Sequence, residues 1–534
     1  MTSTSIESLR LLGKHERYSL ARHNIGHPPI LTSIAFGKAN NIEQVKELHA
    51  RLRDRIEYIL QSIPIFSAHI PNQFALRPIW ARTTSRAKAS QVLLPLESLE
   101  GNKDGLSLDD AENLLQQFQL WGKSTLQDLQ KPPFCRVRVM IEERGDSIHF
   151  AVVLIAHHLV LDGQGMMNLS ALLIQSKDSA LPSAKDLRGS LVSAAEDDVN
   201  GSSLPLTSDV TMQSKAPLLW TAWTWIKSKT LPLFPSFLQR LFGFHHVWPH
   251  RVRPVKRVAE LPVHYRLVDV RSEDVGVDRG LFERMKEVAS LHQLRTVHPI
   301  FHTACIFALY SHLRFTNQQF PLDVKINSAA GERDMKKFGI IAGNYVSLFS
   351  FPLHLSAEMK VWQLARAFAT DLTSKSGLQM RSRTWSFMPD IFGRFGEYMH
   401  NKTKQFPTPW EAHFGGQASQ LQPCKSSLGF SNLGLVKLSD PLFDRMIWTQ
   451  YPPIGEAIMI DANGWRTRDG QEGLSFSCGI RGNGIWGPAN GKGEDVFVDA
   501  LHHVLCLFAK DQVKEEDTLE SIETKMNKVI GLNY

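Results

Sequence analysis

The sequence predicts an α/β protein of two lobes, mixed sheets flanked by helices, with a cleft between them. Three observations carry this reading. In both halves, apolar runs of strand length alternate with amphipathic runs of helix length. A polar, proline-bearing stretch at 176–216, containing SKDSALPSAK and AEDDVNGSSLPLTSD, separates the halves as an exposed linker would. The 534 residues, 43% hydrophobic and 21% charged, suffice for more core than one lobe holds, and no internal repeat stands out. We place a first lobe at 1–180, a crossover at 181–261 and a second lobe at 262–534.

Each element follows from its pattern. PILTSIAFG (29–37) reads as a strand. The next run, NIEQVKELHARLRDRIEYILQSIP, spaces Val45, Leu48, Leu52, Ile56 and Ile59/Leu60 by threes and fours, as an amphipathic helix does, and Pro64 ends it. A second strand is expected at 66–70, and PPFCRVRVMIEE (132–143) leads into SIHFAVVLIAHH, which is apolar on both faces like a buried strand. QGMMNLSALLI puts Met166, Leu169 and Leu173 on one helical face with Asp162 near its start. In the second half VHYRLVDV, LDVKINSAA and NYVSLFSFPLHL read as strands, while SSLGFSNLG and GLSFSCGIR read as strand ends. GLFERMKEVASLHQL, TVHPIFHTACIFALYSHLR and EDVFVDALHHVLCLFAK read as helices.

The charge balance, 60 Lys+Arg against 53 Asp+Glu, leaves +7 spread along the chain, which is no nucleic-acid footprint. It leaves room for an anionic small ligand, or simply for solubility. Five widely spaced cysteines, without a CxxC pair, suggest neither a disulfide framework nor a zinc site and fit a reducing compartment. The first residues lack the apolar core of a signal peptide, and no run of about 18 apolar residues could span a bilayer, so a soluble, monomeric, cytoplasmic protein is expected. The segment at 217–244, with Trp220, Trp223 and Trp225, has two fates: weak contact with a membrane surface, or packing against the protein, which is commoner.

The chemistry concentrates in AHHLVLDGQGMMNL (156–169), where two histidines end a buried strand and Asp-Gly opens a helix. Successive strand side chains point to opposite faces, so His157 and His158 cannot both address one reacting atom. An imidazole projecting from rigid structure into a cleft suits general base catalysis near neutral pH. The bland alternative is a satisfied core histidine. Asp162 has three readings: orienting a histidine as in a hydrolytic triad, capping the helix, or forming an ion pair that holds the turn. The reversal, helped by Gly163, favours the two structural ones. No second ligand cluster accompanies the pair, so no metal is expected. The chain offers neither a GxSxG elbow nor a GxxxxGK[ST] loop.

The string His157-His158-Leu159-Val160-Leu161-Asp162-Gly163 resembles the HHxxxDG motif of the superfamily of chloramphenicol acetyltransferase, BAHD-type plant acyltransferases and peptide-synthetase condensation domains. Within it the chain looks most like the fungal alcohol acetyltransferase branch. LGKHERYSLARHNIG (12–26), QSIPIFSAHI, PPFCRVRVM, TVHPIFHTACIFAL, GIIAGNYVSLFSF and GFSNLG (429–434) fall in that family's order along nearly the whole chain. Two departures stand out. Ser328-Ala329-Ala330 occupy a place where many relatives carry arginine, leaving Arg333 and Arg22 as partners for Asp162. The DFGWG motif of the plant enzymes is missing, and RGNGIWG (481–487) is no substitute.

The resemblance implies two chloramphenicol-acetyltransferase-like lobes with an active-site tunnel between them. It implies that His158 is the general base, and that an acyl group passes directly from acetyl-CoA or another acyl-CoA to a hydroxyl of a small apolar alcohol or secondary metabolite. No covalent acyl-enzyme or bound cofactor is implied. A developing oxyanion needs donors, for which Ser431, Asn432, Asn344 and Tyr345 are candidates, the SNLG pair serving equally to support its loop. Two other readings keep the fold: an amine acceptor or carrier-protein donor, and a tunnel protein that binds a ligand or templates a cyclisation without acyl transfer. For the thioester's phosphates, RVRPVKR (251–257) and Lys336-Lys337 are candidates, a solvated cluster being the plainer account of each.

Overall fold

In the first half, strands β1 (Glu7–Leu11), β2 (Ile30–Ala39), β3 (Ala68–His69), β4 (Ile79–Arg82), β5 (Glu97–Ser98), β6 (Cys135–Arg144) and β7 (Ser147–His157) are interleaved with helices Lys14–Asn24, Ile42–Ser62, Ala111–Thr125 and Gly163–Ile174. This computed structural model describes residues 7–82, 86–99, 106–189, 204–208, scattered positions between 219 and 249, and residues 261–277, 280–384, 408–419, 424–482 and 492–530. The long helix starts where the Asn41 side chain accepts from the Gln44 amide, and it buries Val45, Leu48, Leu52, Ile56, Ile59 and Leu60, the stripe its spacing predicts. The strand expected at 66–70 shrinks to β3. Pro64 instead opens a 3₁₀ turn, Pro64–Ser67, for which its fixed φ and missing N–H are suited.

β7 is buried along both faces for a visible reason. Val152, Leu154 and Ala156 join the core beneath helices Ile42–Ser62 and Gly163–Ile174. Ala151, Val153 and Ile155 point the other way, toward Leu114, Leu115 and Phe118 of helix Ala111–Thr125. That second cluster also takes in Val263 and Tyr265 from the other half, so it joins the lobes.

The second half comprises β8 (Val263–Arg271), β9 (Leu322–Gly331), β10 (Val346–Leu355), β11 (Ser426–Lys437), β12 (Phe443–Gln450), β13 (Glu456–Arg466) and β14 (Glu472–Arg481), with helices that include Leu281–Leu291, His298–Phe315, Val361–Thr373 and Lys492–Ala509. Six strands form one sheet, in the order β10-β9-β11-β13-β14-β8, with β11 parallel to β9 and β13. The first half's sheet runs β12-β2-β7-β6-β5. Its edge strand β12 comes from the second half and lies antiparallel to β2, pairing Ile447 with Ile34, so the chain crosses the boundary drawn at 262 and returns.

Most of the tryptophan-rich stretch at 217–244, the run at 251–257 and most of RGNGIWG lie outside the described residues. Within that stretch, Leu219, Trp223, Ile226 and Phe234 are described and exposed. The five cysteines are free, and four of them are buried. Among the described residues no helix is long and apolar enough to cross a membrane.

Candidate active site

β7 delivers the histidine pair to the boundary between the lobes, and the two rings part there. His157, the last residue of β7, is fully buried. Its Nδ1 accepts from the Leu159 amide at 3.1 Å, and its Nε2 lies 3.1 Å from Nδ1 of His23, whose Nε2 meets the Gln127 carbonyl at 3.0 Å. With Nδ1 of His157 accepting, the two neutral rings hand one direction of donation to the carbonyl, and every ring nitrogen is used. Burial holds His157 well below the ordinary histidine value, His23 and His158 adding to the effect. It is a core histidine.

His158, one residue past the strand, is half-buried and lines a cavity of about 180 Å³ between the halves. Tyr18, Ser19 and Arg22 share the first-half wall, while Asn327, Asn344, Phe430, Glu456 and Met459 are among those facing them. Loss of solvation lowers the His158 imidazole to about 4; Asp162 opposes the shift and Arg22 adds to it. At neutral pH the ring is therefore an uncharged base. The Asn344 side-chain nitrogen stands 2.9 Å from its Nδ1, and the Asn344 carbonyl is held by His15 Nδ1 at 2.8 Å.

The motif turn and the GNY stretch are stitched together. The Gly343 amide donates to the Val160 carbonyl at 2.9 Å, and the Asp162 amide donates to the Gly343 carbonyl at 3.1 Å. Gly343 sits at φ +89°, and a methyl there would fall 2.6 Å from the Tyr345 ring, so only glycine brings the loop this close. Asp162 Oδ1 accepts from the Gly165 amide at 2.7 Å, capping helix Gly163–Ile174, while Oδ2 accepts from the Tyr345 amide at 3.0 Å and pairs with Arg333 at 2.9 Å. Both oxygens are thus occupied away from the histidines. The Arg333 guanidinium also donates to the carbonyls of Gly339, Ile341, Ala342 and Gly343 and lies over the Tyr345 ring. Arg22 faces elsewhere, donating to the Tyr451 and Pro452 carbonyls.

Gly163 is the first residue of its helix and lacks the left-handed backbone the expected reversal would use; a side chain there would press on Leu433 at 3.1 Å and Trp448 at 3.3 Å. The tightness is steric, between elements. Of the four oxyanion candidates, Asn344 alone is among the residues lining the cavity. Tyr345 is buried with its hydroxyl on the Leu206 carbonyl. Asn432 accepts from Gly434 and reaches toward His298 at 3.5 Å. Ser431 is buried beside it, whereas Gly429 and Phe430 of the same strand meet the cavity. Lys336 and Lys337 lie on the exposed surface, Lys337 pairing with Asp334 at 3.4 Å. Sequence reasoning missed Glu456, Asn327 and Gln450 on the cavity wall. The available signal was an acid opening EAIMIDANGWR, a strand in which nearly every residue is buried.

No protein-family model and no curated protein matches the chain in sequence. Solved structures do match. The condensation domain from the Monacolin K polyketide synthase MokA is 12% identical, with a TM-score of 0.52 over 96% of this chain and 100% of that one. The first condensation domain of the CDA synthetase is 12% identical, with a TM-score of 0.54 over 97% and 99%. F. sporotrichioides TRI101, complexed with coenzyme A and T-2, is 10% identical, with a TM-score of 0.52 over 88% and 95%. At these identities the likeness is one of fold: the chain has the two-lobed α/β fold of the condensation domains and of TRI101.

Proposed function

We propose that this protein is an acyltransferase that moves an acyl group, most simply acetyl, from a coenzyme A thioester to a hydroxyl of a small, largely apolar molecule, as the fungal alcohol acetyltransferase resemblance implies. The observation that carries the reading is the His158 imidazole on the wall of the inter-lobe cavity, backed by a turn that Asp162 and Arg333 lock in place. His158 is the general base. Its Nε2 removes the acceptor's proton as the oxygen attacks the thioester carbonyl, and the imidazolium returns that proton to the departing thiolate.

This assigns the proton of the resting ring to Nδ1. The Asn344 amide meets that atom, and a half-turn of the amide puts its oxygen there as the acceptor; in the present orientation that oxygen is buried without a partner. The apolar lining from Val346, Leu348, Phe430 and Met459 suits an apolar acceptor.

The test is to incubate the protein with acetyl-CoA and a panel of alcohols and amines, following free thiol and product mass. Acetyl esters are expected from wild type. His158→Ala should lose at least about 100-fold in kcat while keeping its melting temperature and its affinity for CoA. Undiminished turnover in that variant would defeat the assignment. Acylated amines alone, or transfer only from a loaded carrier protein, would move the reading to the corresponding acceptor or donor.

A further inference from the structure

The cavity wall holds a second group that the transfer step leaves unused. Glu456 opens β13 and is 5% exposed. Its Oε1 has one long contact, 3.4 Å from the Asn327 side-chain nitrogen, and its Oε2 is buried with no hydrogen-bond partner. Neighbouring β11 makes room for the carboxyl: a methyl on Gly429 would lie 2.1 Å from Oε2, and Gly429 itself borders the cavity. A buried carboxyl oxygen without a partner is costly, and such groups persist where something else completes them. Glu456, Asn327 and Gln450 thus add polar groups to a largely apolar cavity that also holds His158, Asn344, Ser19, Arg22 and Ser347.

Charge selects the partner. Burial raises the Glu456 carboxyl to about 7, while Arg22, Arg481 and Lys325 pull it down. With three cations already acting on the site, an incoming ammonium would meet like charge, whereas a hydroxyl, both donor and acceptor, suits the carboxyl in either protonation state.

We propose that Glu456 determines acceptor specificity by receiving a second hydroxyl of an acceptor whose first hydroxyl lies at His158, so that the preferred acceptors are diols or polyols on an apolar frame rather than simple alcohols. The inference rests on the acyltransfer reading for its first hydroxyl, and its test separates the two.

The experiment compares α,ω-alkanediols of increasing chain length with the matching monoalcohols, using acetyl-CoA as donor, in wild type, Glu456→Gln and Glu456→Leu. It also measures binding of the same diols by ligand-observed NMR, which needs no turnover. In wild type the best diol should exceed its monoalcohol at least about tenfold in kcat/KM, since a site built to bond a hydroxyl rejects the analogue lacking it. In Glu456→Leu that ratio should fall to about one and diol binding should be lost, with Glu456→Gln between. Equal use of diols and monoalcohols by wild type, as when water alone completes the carboxyl, would overturn the inference. So would an unchanged ratio in Glu456→Leu, or a rise in the KM for acetyl-CoA common to all acceptors, which would place the carboxyl on the donor arm. Diol binding that depends on Glu456 without any acyl transfer would sustain the site and defeat the acyltransfer reading instead.

Discussion

Replacing Asp162 with Asn tests whether this residue holds the turn through charge. The substitution keeps an oxygen able to cap the Gly165 amide, so the helix cap, worth about 1 kcal/mol, is retained. It turns an NH2 toward the Tyr345 amide and the Arg333 guanidinium, both donors, and leaves Arg333, whose side chain is 3% exposed, as an uncompensated buried cation. Removing one partner of a buried pair costs about 3–5 kcal/mol, a large part of the roughly 5–15 kcal/mol that holds a domain folded. Arg333→Met should be comparably damaging, because it strands the carboxylate and four carbonyls. The double variant should be less damaged than the sum of the singles by at least about 2 kcal/mol, since it leaves no unpaired charge. Urea unfolding followed by far-ultraviolet circular dichroism reads these values. A loss below about 1 kcal/mol in Asp162→Asn, or strict additivity, would refute the reasoning.

Two further outcomes are expected. Gly343→Ala should cost at least about 1 kcal/mol from its left-handed backbone alone, and more from the Tyr345 ring; kcat/KM should fall further because Asn344 is the next residue. A variant as stable and active as wild type would show that the loop has other ways to sit. Stability should also fall steeply as pH drops from about 6.5 toward 4.5. Burial lowers ten histidines of the described chain below their unfolded value, most strongly His15, His23, His27, His157, His158, His298, His302 and His312, and also His69 and His502. In that window the unfolded chain binds protons at them that the folded chain refuses, so acidification favours the unfolded state. Glu456, Asp461 and Glu523, raised to about 7, act in the opposite direction because the folded state holds their protons, but they are fewer. Denaturant midpoints across pH measure the balance; a midpoint that rises on acidification from pH 6.5 would contradict it.

Periodicity and turn chemistry determined much of this protein locally. The stripe of Ile42–Ser62, the doubly buried β7, and the strand-turn-helix around Asp162 are written in the order of residues, because each depends on neighbours within a few positions. His157 ends β7 and His158 begins the turn, so their rings part where strand alternation gives way to the turn. What periodicity reports is that a face is buried, and it is silent about what buries it. The return of β12 to the first sheet, the choice of Arg333 over Arg22 for Asp162, and the exchange of Ser431 and Asn432 for Gly429 and Phe430 at the cavity all depend on pairings with residues far away in the chain. The same holds for Glu456: an acid at a strand's first position looks ordinary until β11 brings a glycine beside it and the two lobes enclose its carboxyl. Only the tertiary structure decided these, since strand partners and buried charges are selected by the whole packed arrangement rather than by local preference.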